Sequence, residues 1–314
     1  MMPDRHRRAA PIPNFRSRND MTKTPSDRRI RSLAEDGGVR AIACVTTELV
    51  AEICRRHGAW PAAAAALGRA LTGGALLGAL LKGEDRVALK FEGSGPLRKL
   101  LVEADGNGAV SGYPGDPRVD MPLRNGMPDV AGALGRAGFL TVTRDLGMRE
   151  PYRSVVRLVS SEIGEDLAHY FVESEQIPSA VGVGVFLDAT GVTAAGGFLV
   201  QSLPGADPAV VDGVIEQIRN LPPVTEQVRN GLGPEEMVAA IFGEIPFRIL
   251  ERQPLRFACH CGRARFERAL VALGREEVTA LAARTQDTIL TCEFCRETYA
   301  FAPEELRGLL AGME

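Results

Sequence analysis

The 314-residue sequence predicts an α+β protein with an N-terminal core domain of mixed sheet and helix, a helical connector and a small C-terminal domain. Three observations support this prediction. Strand-like segments with Gly- and Asn-rich turns dominate the first part of the chain, helical segments that begin with proline follow them, and two close cysteine pairs lie near the C-terminus. We place the core domain, the connector and the C-terminal domain at residues 30–224, 225–256 and 257–314, after a tail of residues 1–29.

The composition limits the possible classes of protein. Because 45% of the residues are hydrophobic, the chain can bury one large core and a smaller satellite core. The net charge of −3 and the pI near 5.9 argue against nucleic-acid binding, which normally requires a basic surplus. Six cysteines, four of them in metal-binding spacing, suit a reducing compartment. We therefore expect a cytoplasmic protein with no nucleic-acid partner.

The N-terminal tail, residues 1–29, is rich in Arg, Pro, Asn and Ser and shows no apolar periodicity. This composition is typical of a disordered segment. Its arginines are faintly similar to those of a transit peptide, but no apolar stretch follows that could serve as a secretory signal. Met21 is an alternative start of the chain.

Residues 39–56 are predicted to run from a strand into a helix, and Cys44 and Cys54 there are interpreted as core residues, because cysteine is often buried. Residues 62–81 are almost wholly apolar and long enough to cross a membrane. However, Arg69 would then cost about 3 kcal/mol within the hydrocarbon, and four glycines weaken an isolated helix. We predict a buried helix of the core and no membrane association.

The turns Gly-Ser-Gly-Pro and Asp-Gly-Asn-Gly predict an antiparallel meander of strands at residues 86–92, 97–104 and 109–113. Neither turn has the order of a phosphate-binding loop, which lies between a strand and a helix and ends in Lys-Ser/Thr. The other strands of the core domain are predicted at residues 139–144, 153–159, 181–187 and 192–201, and its helices at residues 163–174 and 208–220.

The connector, residues 225–256, has short helical segments, several glycines and prolines and little apolar mass, which indicates marginal stability. Beyond it, helices are predicted at residues 264–273 and 275–284, and short strands at residues 288–291 and 297–301.

The four C-terminal cysteines form two pairs, Cys259-His260-Cys261 and Cys292-Glu293-Phe294-Cys295. Two close pairs let four thiolates of one chain reach a single tetrahedral metal, and four soft ligands suit Zn²⁺ better than iron. The second pair has the spacing of a zinc knuckle, whereas Cys-x-Cys is uncommon in static zinc ribbons. Spacing alone leaves both a static ribbon and a redox site open. His260 is interpreted as an incidental residue between two ligands.

Several segments together resemble the heat-shock protein 33 family of redox-regulated holdase chaperones. The first pair lies in Phe257-Ala258-Cys259-His260-Cys261-Gly262-Arg263, and Tyr299 and Phe301 follow the second pair. Upstream, residues 170–171, 174–178 and 194–204 resemble core motifs of the family. The similarity extends from about Arg31 to Phe301. Gly262 departs from the serine expected after the first pair, which changes a turn residue and no ligand.

The resemblance implies a mechanism. The reduced form would hold one Zn²⁺ through Cys259, Cys261, Cys292 and Cys295 and would be an inactive monomer. Oxidation would form disulfides Cys259–Cys261 and Cys292–Cys295, release the zinc and unfold the C-terminal domain and connector. The exposed surface would then capture unfolding client proteins without ATP, and the protein would dimerise. The sequence does not identify the residues of the client surface.

Thiolate chemistry agrees with this mechanism. Zinc holds cysteines as thiolates, the form that peroxide attacks, and zinc binding supplies about 10–16 kcal/mol of folding energy in zinc-finger peptides. Peroxide converts a thiolate to a sulfenic acid, which a neighbouring thiol resolves to a disulfide. A Cys259–Cys261 disulfide would close a very small ring, and strained disulfides are typically labile and regulatory.

Two alternatives remain. One is a static zinc ribbon that recruits a protein or nucleic-acid partner, which should keep its metal in the presence of peroxide. The other is a zinc hydrolase, but catalytic zinc keeps an open position and usually includes His or carboxylate ligands. The remaining histidines, His6, His57 and His169, are scattered and complete no catalytic triad. We therefore favour a non-enzymatic holdase.

Overall fold

The strands of the protein form three sheets, and the structure, a computed structural model, describes residues 27–313. The prediction of disorder for residues 1–26 therefore lies outside the described residues. Asp27 is buried and the first strand begins at Arg28, so the ordered core starts slightly before the predicted boundary at residue 30.

The strands of the described part of the chain are β1 (Arg28–Ala34), β2 (Val39–Val45), β3 (Arg86–Gly93), β4 (Lys99–Asp105), β5 (Ala109–Pro114), β6 (Gly138–Asp145), β7 (Tyr152–Arg157), β8 (Ser179–Asp188), β9 (Gly191–Ser202), β10 (Phe247–Pro254), β11 (Arg256–Phe257), β12 (Thr288–Thr291) and β13 (Thr298–Phe301). The helices are α1 (Thr47–His57), α2 (Pro61–Gly78), α3 (Val130–Leu134), α4 (Gly164–Glu173), α5 (Pro208–Asn220), α6 (Val224–Arg229), α7 (Pro234–Phe242), α8 (Arg263–Leu273), α9 (Arg275–Ala282) and α10 (Pro303–Ala311).

The strands of the core domain form two large sheets, and each sheet also takes in one strand from residues 247–257. The first is antiparallel with the strand order β10-β1-β2-β9-β8, and it contains the predicted β8–β9 hairpin. The second has the order β11-β5-β4-β3-β6-β7 and contains the predicted meander β3–β4–β5. Only two residues of β11 pair with β5, and they do so in parallel. The prediction of an α+β fold is confirmed.

Helix α2 lies between these two sheets and is the centre of the larger apolar core. Its glycines allow the close approach: a Cβ added at Gly68 would lie 2.7 Å from Val185 of β8, and one at Gly74 would lie 2.6 Å from Val102 of β4. Arg69 pairs with Glu162 at the edge of this layer, which explains how a charge fits on an otherwise apolar helix. The prediction of a buried core helix is confirmed. None of the helices within residues 27–313 is both long and apolar enough to span a membrane.

A second apolar core covers the opposite face of the first sheet, where α5, α6 and α7 pack. Strand β2 is buried on both faces and shows how the two cores share one sheet. Its residues Ile42 and Cys44 face the α2 side, whereas Ala43 and Val45 face the second core, since side chains alternate along a strand.

The second half of the connector forms a strand, whereas the whole connector was predicted to be helical. Helices α6 and α7 lie in its first half, as expected, but residues 247–254 form β10, which pairs with β1. Half-buried and exposed residues alternate along Phe247–Pro254, and such alternation suits an edge strand. The pairing partner lies at the other end of the chain, so local sequence does not reveal it.

Candidate metal and redox centre

The four cysteines lie in two turns of the C-terminal part of the chain, and we call residues 257–313 the metal module. Cys259 and Cys261 follow β11 and precede α8. Cys292 and Cys295 lie in the turn between β12 and β13. The Cys292 amide donates to Glu297 O at 2.8 Å, and the Arg296 amide donates to Cys292 O at 2.9 Å. These bonds close a tight turn that points both sulfurs of the second pair to one side.

The structure brings all four sulfurs together. Their Sγ atoms lie within 4.8 Å of one another. The short contacts run between the pairs: Cys259 to Cys292 at 3.7 Å and Cys261 to Cys295 at 3.3 Å. Tetrahedral zinc with Zn–S bonds of about 2.3 Å places its sulfurs about 3.8 Å apart. The cysteines are therefore positioned to bind a metal ion, and four thiolates form the soft, closed ligand set that zinc prefers.

The surroundings of the sulfurs differ. Burial raises the pKa of the Cys259 thiol, and burial raises that of Cys295 to about 11. At Cys261 burial acts in the same direction, but hydrogen bonds from the Tyr299 hydroxyl and from the neighbouring cysteines lower the pKa below its usual value. The Tyr299 hydroxyl lies 3.2 Å from Cys261 Sγ.

The other cysteines and histidines do not belong to this cluster. Burial raises the pKa of both Cys44 and Cys54 to about 12, which makes them unreactive core residues, as predicted. His260 is exposed and is not among the clustered ligand atoms. His169 lies on α4 of the core domain, and His6 lies outside the described residues.

The second cysteine turn docks on the core domain through contacts that the sequence did not reveal. Arg56 Nη1 donates to Cys295 O at 3.3 Å, and His57 Nε2 lies 3.1 Å from Phe294 O. A carbonyl oxygen can only accept, so Nε2 donates this hydrogen bond. Burial lowers the pKa of His57. The rings of Phe294 and Tyr113 meet edge to face, with centroids 5.0 Å apart.

Cations at the end of a helix ordinarily signal only a favourable interaction with the helix dipole, and α1 ends in Arg55, Arg56 and His57. Nothing in this pattern indicates that Arg56 and His57 bind the cysteine turn. Tyr299 is similar: its proximity to the second pair was visible in the sequence, but its hydrogen bond to the first pair was not.

Fold and site together define the class: an α+β core domain that carries a docked, four-cysteine metal module. Comparison with known proteins gives the family. The model of the family described as "Hsp33 protein" matches residues 27–302, and the chain belongs to the Hsp33 family.

The relatives cover nearly the whole chain. A "33 kDa chaperonin" of Geobacter sulfurreducens is 52% identical over 292 residues, which are 93% of this chain and 97% of the relative. A "33 kDa chaperonin" of Geobacillus kaustophilus is 44% identical over 286 residues, 90% of this chain and 97% of the relative. The crystal structure of the 33 kDa chaperonin (heat shock protein 33 homolog) of Thermotoga maritima superimposes with a TM-score of 0.86 at 36% identity, covering 92% of this chain and 99% of that one. Family membership confirms the predicted resemblance and supports a chaperone function.

Proposed function

We propose that this protein is a redox-regulated, ATP-independent holdase of the cytoplasm that binds unfolding proteins under oxidative stress. Cys259, Cys261, Cys292 and Cys295 hold one Zn²⁺ in the reduced, inactive monomer. Oxidation to two disulfides activates the protein, which then dimerises and captures clients. We assign it no catalytic residue. The proposal rests on the family and on one structural observation, the single cluster of four sulfurs.

The cluster suits a switch because the same four sulfurs serve as ligands and as redox groups. Zinc, when bound, keeps the sulfurs deprotonated and therefore nucleophilic. Disulfides Cys259–Cys261 and Cys292–Cys295 would consume all four ligands. Each disulfide removes two electrons from two thiols, and one hydrogen peroxide takes up these electrons with the two protons to give two water molecules.

Loss of the ligands should unfold the metal module, because its own apolar core is small. Seven half-buried apolar residues pack around only five buried ones, which is too little apolar burial to offset the chain entropy of a segment of this length. The buried residues are Leu270, Val278, Ala282, Phe301 and Leu306. Metal binding, worth about 10–16 kcal/mol in zinc-finger peptides, would supply most of the missing stability.

The docking contacts offer a route from the cysteines to the core domain. Arg56 and His57 bind the carbonyls of Cys295 and Phe294, which belong to the turn that the Cys292–Cys295 disulfide would reshape. A change in that turn should therefore weaken docking as well as metal binding. Beyond these side chains and the Tyr113 ring, the two paired residues of β11 tie the module to the second sheet.

We also propose the functional division into a core of residues 30–224, a linker of residues 225–256 that unfolds on activation, and a redox domain of residues 257–314. In support, β10 is an outer strand of its sheet and alternates half-buried and exposed residues along its length. Such a strand is easier to detach than an inner one.

The experiment is light scattering from a thermally aggregating client protein. It is run with zinc-loaded, reduced protein and with protein treated briefly with warm peroxide. We expect suppression only after oxidation, and reversal by a dithiol. No suppression in either state contradicts a holdase and favours a static zinc ribbon. Equal suppression in both states removes the switch.

A further inference from the structure

The Tyr299 hydroxyl, 3.2 Å from Cys261 Sγ, contacts only one of the two cysteine pairs. Within residues 27–313, the hydrogen bonds of the four sulfurs include one side chain from outside the cluster, and that side chain is Tyr299. The ring of Tyr299, on β13, packs against Phe266 of α8 with centroids 4.7 Å apart. That ring contact does not involve the hydroxyl, so the hydrogen bond can be removed while the ring stays in place.

The direction of this hydrogen bond follows from the protonation of its partners. A thiolate has no hydrogen to donate, so the Tyr299 hydroxyl must donate whenever Cys261 is deprotonated. Hydrogen bonds to a charged acceptor are about twice as strong as neutral ones. Zinc, when bound, already keeps Cys261 deprotonated, so in the zinc-loaded protein the bond changes the reactivity of the thiolate and not its protonation. It withdraws charge from the sulfur lone pair, which is the electron pair that attacks an oxidant.

We propose that Tyr299 is a positioning residue that restrains Cys261 and so sets the peroxide level at which the first pair oxidises. This inference rests on the proposed redox function and deepens it. The second pair receives no such side-chain bond among the described contacts, and therefore the restraint acts on Cys259–Cys261 alone.

The step that the hydrogen bond slows is the oxidation of Cys261 to a sulfenic acid. The Cys261 sulfur attacks one oxygen of hydrogen peroxide, the O–O bond breaks, and a sulfenic acid and a hydroxide ion form. The Cys259 sulfur then attacks the sulfenic sulfur, a disulfide forms, and a second hydroxide leaves. Two protons convert the two hydroxides to water, and two electrons have passed from the two sulfurs to the peroxide. The attacking lone pair is the acceptor of the Tyr299 hydrogen bond, so this bond weakens as attack proceeds.

The test compares Tyr299→Phe with the wild-type full-length protein, both reduced and zinc-loaded. Disulfide in each pair is measured by mass spectrometry after thiol alkylation, at low peroxide and short times. We expect the first pair of the variant to oxidise about tenfold faster, which corresponds to about 1.4 kcal/mol. The initial oxidation rate of the second pair should stay the same.

Tyr152→Phe is the matched control, because it removes a hydroxyl from an exposed tyrosine of β7, away from the cluster. It should oxidise like the wild type. Equal acceleration of both pairs in Tyr299→Phe would indicate general loosening of the module, and this result overturns the proposal, as does an unchanged or slower first pair. If the wild type itself forms no disulfides, the proposed redox function fails; if it does and the variant matches it, only the role of Tyr299 fails.

Discussion

The ring of Phe294 meets the ring of Tyr113 edge to face, with centroids 5.0 Å apart and planes at 80°. Phe294 stands between two proposed metal ligands, whereas Tyr113 lies on β5 of the core domain. The contact therefore joins the cysteine turn directly to the sheet that packs on α2.

Replacing Phe294 by alanine should weaken docking without removing a ligand. Aromatic pairs contribute about 0.5–1.5 kcal/mol beyond their buried area, so the population of undocked protein should rise at least about two- to thirteenfold. The measurement is hydrogen exchange at the amides of Arg256 and Ala258, which donate to Gly108 O and Val110 O of the core. Ile289→Ala, which truncates a 66% exposed residue of the same module, should leave this exchange unchanged. Equal exchange in the Phe294 and Ile289 variants would contradict a docking role for the ring.

The neighbouring residues Arg55 and Arg56 of α1 allow the docking role of one arginine to be compared with a matched control. Both bind Glu52, but only Arg56 reaches Cys295 O and stacks over Phe257, with 4.7 Å from its guanidinium to the ring centroid. Arg56→Ala should therefore raise client binding by the reduced protein, about fivefold for a loss of about 1 kcal/mol. Arg55→Ala should not. Static light scattering with reduced, zinc-loaded variants measures the difference, and identical curves would show that Arg56 does not hold the module.

Metal removal should unfold the module and leave the core domain folded. With a zinc chelator and a reductant present, amide protection in residues 257–313 should fall by about a hundredfold or more, because the module loses its main source of order. Amides of α2 should keep their protection, since this helix is buried between two sheets. Hydrogen exchange with peptide resolution measures both regions. Retained protection in the module would mean that its small apolar core suffices.

Asp27 should make the core domain less stable as the pH rises. Its carboxylate accepts the amides of Glu48 and Leu49 at the start of α1, yet burial raises its pKa from 3.8 to about 6. The folded state therefore binds the proton more tightly than the unfolded state. The stabilising contribution is present below about pH 4 and is lost as the pH rises through about 6, amounting to up to about 3 kcal/mol.

Asp27→Asn removes this titration. The stability of the variant relative to the wild type should therefore increase between pH 4.5 and pH 7.5. Urea unfolding followed by the fluorescence of Trp60, the single tryptophan, reports on the core domain. Parallel pH profiles for the two proteins would show that Asp27 does not titrate in this range.

Much of the fold could be predicted because the signals are local. Alternating apolar residues and Gly-rich turns defined the β3–β5 meander and the β8–β9 hairpin, and Asp207-Pro208 marked the start of α5. The spacing of the cysteines within each close pair is also local, and it predicted a four-sulfur cluster.

The parts that were missed depend on contacts between distant segments. Strand β1 was not predicted, because it pairs with β2 and with β10, more than 200 residues away. The hydrogen bond from Arg56 to Cys295 O and that between Tyr299 and Cys261 also join distant positions. Neither pair is marked by a pattern in the sequence, since arginine at a helix end and tyrosine in a short strand have ordinary explanations.

The chain passes from one large sheet to the other within two residues, from the end of β10 at Pro254 to the start of β11 at Arg256, across the buried Leu255. Unfolding that begins in the metal module and stops at Leu255 leaves the first sheet intact. Unfolding that continues through β10 turns β1 into an edge strand, because the backbone groups of β1 that faced β10 lose their partners while β1 stays paired with β2. Another extended chain can add to such an edge. If oxidation unfolds the module as proposed, the residue at which unfolding stops determines whether a new strand edge forms, and the amide exchange of β1 measures this directly.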